Sequence, residues 1–158
     1  GWSGDRTRRR LGREIVDLGN LENEALGIEL GYRYDDSPVI AAEPGPRPKQ
    51  QSYAYLSSTV PGVRPPSVWL ADGQAIFDRL GTGFTLLRFT EHDTTALEHA
   101  AAIAGVPLDI VDVRDDHARA LYERDLVLIR PDQHVAWRGN GPPSDPIAVI
   151  DLVRGANS

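Results

Sequence analysis

The 158-residue chain contains no cysteine and no methionine, and Lys49 is the one lysine among its 17 basic residues. Without thiols there is no disulfide framework, no Cys-ligated zinc or iron–sulfur site, and no thiol–disulfide or peroxidatic chemistry. No apolar run approaches the ~18 residues that cross a membrane, and the opening GWSGDRTRRR is no signal peptide; a cytoplasmic setting is expected, with no membrane partner. Positive charge is also short. With 17 basic against 23 acidic side chains the net charge is −6, a poor balance for a general nucleic-acid binder. The preference for Arg over Lys, beside abundant Ala, Gly, Pro and Val, reads as coding composition rather than chemistry. With Met missing even from position 1, the chain is expected to belong to a longer polypeptide.

What is present suits one domain with an appendage. Apolar residues make up 41% of the chain, and a compact chain of this size buries roughly 70% of its unfolded surface. Proline divides the sequence: seven of the 12 prolines lie between Pro38 and Pro66. Pro fixes φ and removes a donor, so residues 38–67 read as an extended connector. Residues 1–37 before it are expected to be helical, with Leu11, Ile15 and Leu18 at helical spacing and Asp5 as N-cap. Gly19-Asn20 is expected to break or bend that helix, with a second short piece over Leu21–Leu26. Arg6, Arg8, Arg9, Arg10 and Arg13 crowd its flank. No DNA- or RNA-binding pattern accompanies them, so they read as a solvated or partner-facing surface rather than a nucleic-acid arm. The stretch GIELGYRYDDSPVI, with two tyrosines and a β-like Val39-Ile40-Ala41, wants another surface to pack on.

Residues 68–158 carry an α/β pattern. FTLLRF (84–89) and LDIVDV (108–113) read as strands around a helix with a Thr95–Glu98 capping box, a Leu97/Ala100/Ala101/Ala104 stripe and Gly105 as its stop. That unit is expected to be parallel and right-handed. A short helix near Asp116–Glu123 leads to the strand LVLIR (126–130). Pro131 then presets a type I turn into a hairpin strand over His134–Arg138. A last helix starts at Ser144 or Asp145 with Pro146 at its first position, carries Ile147, Ile150 and Val153, and stops at Gly155. The order β-α-β-α-β-β-α is that of the thioredoxin-like fold.

In that fold the reactive thiols lie between the first strand and the N-terminus of its helix, whose dipole favours a thiolate. Here the position reads Thr90-Glu91-His92-Asp93-Thr94-Thr95. It lacks the CxxC pair and carries two carboxylates, so the domain is expected to be redox-inactive. A His beside carboxylates can act as a base, but adjacent residues rarely converge on one atom, and Glu91, His92 and Asp93 read as cap and surface charge. His92 and His99 lack a third protein ligand for zinc. His117 and His134 are expected to be exposed, and no Ser lies in a G-x-S-x-G elbow. Gly81-x-Gly83 precedes a strand, the reverse of a dinucleotide loop. Gly139-Asn140-Gly141 has the right context, but Pro142 and Pro143 lack the N–H groups that would hold a phosphate. Trp69 reads as a core or interface anchor, and Trp137 either shares a sheet face with Val135 or opposes it. No catalytic, cofactor-binding or metal-ligating residue is assigned.

Three stretches together carry a family resemblance: ELGYRYDDSPVI (29–40), RPPSVWLADGQAIFDRLGTGFTLLRF (64–89) and LVLIRPDQHVAWRG (126–139). They resemble the C-terminal part of the flavin-dependent aromatic hydroxylases, the phenol-hydroxylase-like and aromatic-polyketide-hydroxylase branch of class A monooxygenases. The resemblance runs from about residue 20 to the C-terminus, with Ser67 where the family often has His. It implies a parent enzyme that uses FAD, NAD(P)H and O₂ to hydroxylate an aromatic substrate, with a thioredoxin-like tail that lacks the cysteine pair. The G-x-G-x-x-G fingerprint and the downstream Asp-Gly flavin motif are not in these 158 residues, so no residue inherits a flavin-contacting role and the chain is expected to bind no cofactor. The implied partner is an FAD-binding module, on the same polypeptide or a separate chain, with a homodimer as a further arrangement. Tyr32, Tyr34, Tyr53, Tyr55 and Trp69 are the expected inter-module contacts. Two other readings stand beside this one: a stand-alone peroxiredoxin-like or hydrolytic protein using Glu91, His92 and Asp93, and a separate assembly module for a flavoprotein.

Overall fold

The computed structural model describes residues 2–23, 25–47 and 49–156, with the side chains of residues 2, 3, 17, 18 and 20–23 outside the description. The chain forms two compact units, Gly1–Tyr32 with Pro48–Leu56, and Arg33–Arg47 with Ser57–Ser158.

The smaller unit is built on α1 (Trp2–Asn23) and the single turn α2 (Leu26–Glu29). The helix does not break at Gly19-Asn20, because one interior glycine costs only about 1 kcal/mol against alanine and ends no helix by itself. Nor is Asp5 its N-cap. The helix begins at Trp2, and Asp5 lies in the first turn, where its charge still complements the dipole. Leu11 and Ile15 are exposed, and the Leu18 side chain lies outside the described residues.

The larger unit is a mixed α/β sandwich around a four-stranded sheet. Its strands are β1 (Phe84–Arg88), β2 (Leu108–Asp112), β3 (Leu126–Ile129) and β4 (Val135–Gly139), in spatial order β2-β1-β3-β4. β1 pairs parallel with β2 and antiparallel with β3, and β3 pairs antiparallel with β4. With α3 (Thr95–Ile103), α4 (Asp116–Tyr122) and α5 (Pro146–Val153), the order β-α-β-α-β-β-α is the expected one.

Alternation along the strands separates two cores. Leu87, Val127, Ile129 and Val135 pack with Ala118 and Tyr122 of α4 and with Val68, Leu70 and Ile76, the last from the 3₁₀ turn Ile76–Arg79. Leu86, Leu126 and Leu128 pack on the opposite face with α3 and α5. A β-bulge decides where Trp137 goes. The register steps from Leu128↔Trp137 to Ile129↔Val135, leaving Ala136 as the extra residue. Val135 and Trp137, which strict alternation would place on one face, therefore lie on opposite faces.

The elements end as their local chemistry dictates. Gly105 (φ +67°) closes α3 in a Schellman pattern, with Val106 N donating to Ala101 O at 2.9 Å and Gly105 N to Ala102 O at 3.2 Å. Asp145, not Ser144, caps α5, accepting from Ala148 N at 2.9 Å ahead of Pro146. In the hairpin, Gln133 N donates to Arg130 O across Pro131, and Gln133 takes the left-handed conformation (φ +65°) that a three-residue loop requires. The capping box expected at Thr95 does not form: the N-cap residue is Thr94, and its side chain makes no hydrogen bond to the helix backbone. Thr94 is buried and its hydroxyl donates to Glu98 Oε1 at 2.6 Å, while Asp93 Oδ1 accepts from Thr95 N at 3.0 Å.

Segments from the proline-rich region cover the edge of β4. Ala41 N donates to the bulge carbonyl of Ala136 at 2.9 Å, Gly62 N to Val135 O at 2.7 Å, and Val135 N to Val63 O at 2.9 Å. These bonds satisfy an edge that would otherwise template aggregation. Gly62 (φ +98°) is demanded by this arrangement, since a Cβ there would stand 2.7 Å from Tyr34 O. His134 is not exposed as expected. Its ring packs edge-on against Tyr34 at 4.7 Å, and Nδ1 lies 2.9 Å from Asp132 O. Trp69 is 74% exposed although Val68 and Leu70 beside it are buried, which removes the core alternative for it. Among the described residues no helix is long and apolar enough to cross a membrane.

Candidate functional site

The turn between β1 and α3 sits at the C-terminal ends of the two parallel strands, where chemistry collects in open α/β sheets. Arg88, the last residue of β1, organises it. Its Nε and Nη2 donate to both oxygens of Asp112 at the end of β2, at 2.7 and 3.0 Å, and Nη1 donates to His92 O and Thr94 Oγ1. This forked pairing holds the Asp112 carboxyl below its ordinary range and raises the Arg88 guanidinium.

Glu91, His92 and Asp93 each turn to a different partner. Glu91 is exposed, with Arg114 3.9 Å away. His92 is half-buried, with Nε2 3.4 Å from Asp125 Oδ2. Asp93, one residue before the N-cap position Thr94, accepts from Thr95 N, and the hydrogen bonds from the Thr95 side chain and backbone hold its carboxyl below the usual value. Asp125 is shared with Arg119, whose Nε donates to Oδ1 at 2.6 Å. Burial opposes ionisation of Asp125, but the bonds from Arg119 and His92 outweigh it, so its carboxyl too lies below the usual range. No nucleophile stands between His92 and Asp125, and the Thr94 hydroxyl is already committed to Arg88 and Glu98. The arrangement ties strand ends to helix starts and presents no convergent acid–base pair. Among the described residues no group of three or more His, Asp or Glu could hold a metal ion.

A second cluster was not assigned a role from the sequence. Arg138 on β4 keeps only 5% of its side chain exposed. Its Nε and Nη2 donate to Glu43 Oε2 at 3.0 and 2.7 Å, and Nη1 donates to Thr59 Oγ1 at 2.7 Å and Glu123 Oε2 at 2.8 Å. The Thr59 hydroxyl in turn donates to Tyr122 O at 2.7 Å, and Tyr122 Oη donates to Pro66 O at 2.8 Å. Beside the pair lies a cleft of about 330 Å³ lined by residues 43–47, Val60, Arg124 and Arg138. Two carboxylates already match the buried cation, so the cluster acts as a clamp from residues 43 and 59 onto the sheet rather than as an anion site. The signal for it was a charged residue between Trp137 and Gly139 in an otherwise apolar strand; its partners, far away in sequence, left no local trace.

Of the five expected contact aromatics, Tyr32, Tyr53 and Trp69 are exposed while Tyr34 and Tyr55 are half-buried. Tyr34 is engaged with His134 inside the larger unit.

Residues 58–154, which include both clusters apart from Glu43, match the family model described as the C-terminal domain of aromatic-ring hydroxylases. An FAD-dependent monooxygenase of Penicillium oxalicum is 32% identical over 97% of this chain and 30% of its own length. A phenol 2-monooxygenase of a Pseudomonas species is 29% identical over 94% of this chain and 28% of its own. Among solved structures, RebC-10x, determined native and with bound K252c, superposes with a TM-score of 0.79 at 37% identity, covering 97% of this chain and 29% of that one. The chain thus spans 20–30% of the length of the curated relatives first matched. The sheet order, the turn after β1 and the Trp137-Arg138 strand all fall within that match, and the chain belongs to the aromatic-ring hydroxylase C-terminal family.

Proposed function

We propose that this chain is the redox-inactive, thioredoxin-like C-terminal scaffold of an FAD- and NAD(P)H-dependent aromatic-ring monooxygenase working in the cytoplasm. Residues 68–158 form the thioredoxin-like body, 38–67 the connector, and 1–37 belong to or pack on the flavin-binding module. One observation carries the reading. The turn that holds the thiols in thioredoxin-like folds has no sulfur here, and its polar groups are spent on structure: Asp93 on the start of α3, Thr94 on Arg88 and Glu98, His92 beside Asp125. The arrangement of α3 and α5 on one sheet face and α4 on the other supports the fold assignment.

The sites described above do not fit an FAD. The cleft beside Arg138 holds about 330 Å³, with its guanidinium already paired to Glu43 and Glu123. The Gly139–Gly141 turn runs into Pro142 and Pro143, which have no N–H to offer a pyrophosphate. The reading therefore leaves flavin binding, and the chemistry the flavin supplies, to the rest of the parent polypeptide.

The test is direct. The purified chain, mixed with excess FAD and passed through a desalting column, is expected to emerge colourless. Yellow, stoichiometric retention would overturn the scaffold reading.

A further inference from the structure

Succinimide chemistry needs an Asn or Asp whose side-chain carbonyl carbon can be reached by the next backbone nitrogen. Glycine at that next position gives the nitrogen its widest reach. The chain holds two such pairs, Asp72-Gly73 and Asn140-Gly141, while Asn20, Asn23 and Asn157 precede Leu, Glu and Ser. The structure treats the two pairs oppositely. In the first, the nitrogen is committed, because Gly73 N donates to Leu70 O at 2.9 Å within its turn. Both oxygens of Asp72 are engaged as well, Oδ1 with Gln74 N at 3.1 Å and Oδ2 with Arg79 Nη2. An ionised carboxylate is also a poor electrophile.

Asn140-Gly141 opens the turn between β4 and α5 and escapes these restraints. Asn140 is exposed. Gly141 N donates no hydrogen bond among the described residues, and a Cβ at Gly141 would meet nothing within 4 Å. Pro142 and Pro143 follow, so the next two residues have no N–H with which to fasten the segment. Among the described residues the Asn140 amide is held through its oxygen alone, Oδ1 accepting from Asp125 N at 3.4 Å. That bond draws electron density from Cγ and leaves Nδ2 untethered.

We propose that Asn140 is a site of spontaneous deamidation, converting this turn to aspartate and isoaspartate as the protein ages. Gly141 N gives its proton to hydroxide and bonds to Asn140 Cγ. The Cγ–Nδ2 bond then breaks, and Nδ2 takes a proton from water and leaves as ammonia. The product is a five-membered succinimide in which the Gly141 nitrogen joins Cγ to the Asn140 main-chain carbonyl carbon. Water opens the ring at either carbonyl. Attack at Cγ gives aspartate; attack at the main-chain carbonyl gives isoaspartate, with the chain rerouted through Cβ and Cγ. Water is consumed as ammonia is released, and nothing is oxidised or reduced. Isoaspartate adds a methylene to the main chain between β4 and α5 and takes the acceptor away from Asp125 N. Either product sets a new carboxylate near Asp125, whose side chain is 18% exposed and bonded to Arg119. The modification is a property of the turn and is independent of the flavoprotein reading.

The test ages the full-length polypeptide in mildly alkaline buffer and follows the tryptic peptide 139–154 by tandem mass spectrometry. Isoaspartate is counted with an isoaspartyl methyltransferase and labelled S-adenosylmethionine. Asn140 is expected to convert ahead of Asn20, Asn23 and Asn157, with no isoaspartate at Asp72. Gly141→Ala suits the structure, because residue 141 lies outside the left-handed region and has room for the Cβ. It is expected to slow conversion at least about tenfold by narrowing the reach of the nitrogen. Asn140→Gln keeps the amide but would have to close a larger ring, and is expected to stay unmodified. In the aged parent, hydrogen exchange at Asp125 N is expected to lose protection that aged Gly141→Ala keeps. An Asn140 that survives in the folded polypeptide yet converts once unfolded in urea overturns the proposal. So does conversion in Gly141→Ala at the parent rate, or isoaspartate at Asp72 matching that at Asn140. Unchanged protection of Asp125 N after conversion overturns the consequence for that bond.

Discussion

Replacing Arg138 by Met tests the clamp on β4, because methionine keeps much of the aliphatic volume and removes all four hydrogen bonds. Removing one partner of a fully buried ion pair costs about 3–5 kcal/mol, since the other charge is stranded. Here the burial is graded. Arg138 is 5% exposed and Glu43 is 26% exposed, but Glu123 is 57% exposed and its pairing contributes little after solvent screening. Glu43 also keeps Arg124 at 3.6 Å as a substitute partner. The expected loss is therefore about 2–3 kcal/mol, below the fully buried case. For a unit of this size that is a fall in Tm of about 10 °C. Urea unfolding followed by circular dichroism reads it as a lower midpoint at unchanged slope. A double-mutant cycle with Glu43→Gln is expected to return a coupling of about 1–2 kcal/mol. The loss also has an address: hydrogen exchange at Ala41 N, bonded to Ala136 O beside the clamp, is expected to speed up before exchange in β1 and β3 does. A variant within about 0.5 kcal/mol of the parent, with Ala41 still protected, would refute the reasoning.

Two further outcomes are expected. Tyr122→Phe removes the buried hydrogen bond to Pro66 O and is expected to cost about 1–2 kcal/mol in urea unfolding, because the carbonyl is left without its donor; an unchanged midpoint would count against it. Asp112 and Asp125 have folded pKa values below the ordinary value, so near pH 4 the unfolded chain binds more protons than the folded one. Their stabilisation is thus fully present above the unfolded value of about 3.9 and is lost as pH falls through the depressed folded values. The urea midpoint is expected to hold from pH 7 to 5 and decline toward pH 3, with a shallower decline in Asp112→Asn. A midpoint that rises on acidification from pH 5 would contradict this.

Local chemistry was the legible part. The strands over 84–88, 108–112, 126–129 and 135–139 lie within one or two residues of the apolar runs that announced them, and the stops at Gly105 and Gly155 fall where their conformational freedom required. Helix α3 has its N-cap residue at Thr94, one position before the expected Thr95, and the Thr94 hydroxyl is held by the distant Arg88 and by Glu98 instead of the helix backbone, which no local pattern announces. Helix α1 passes through Gly19 because a propensity penalty of about 1 kcal/mol is a bias and not a stop. His134 departs from the expected exposure because the ring of Tyr34, a hundred residues away, packs against it.

The periodicities, the turns, the lack of thiol chemistry and the succession β-α-β-α-β-β-α were legible along the chain, since each depends on residues within a few positions of one another. The tertiary structure decided the rest: the bulge at Ala136 that sends Val135 and Trp137 to opposite cores, the exposure of Trp69, the dispersal of Glu91, His92 and Asp93 to separate partners, and the convergence of Glu43, Thr59 and Glu123 on Arg138. Contacts between residues separated by 95 and 79 positions leave no local pattern. They arise only once the sheet has formed and carries a charge into a place where water cannot reach it, so that the chain must bring the partners from elsewhere.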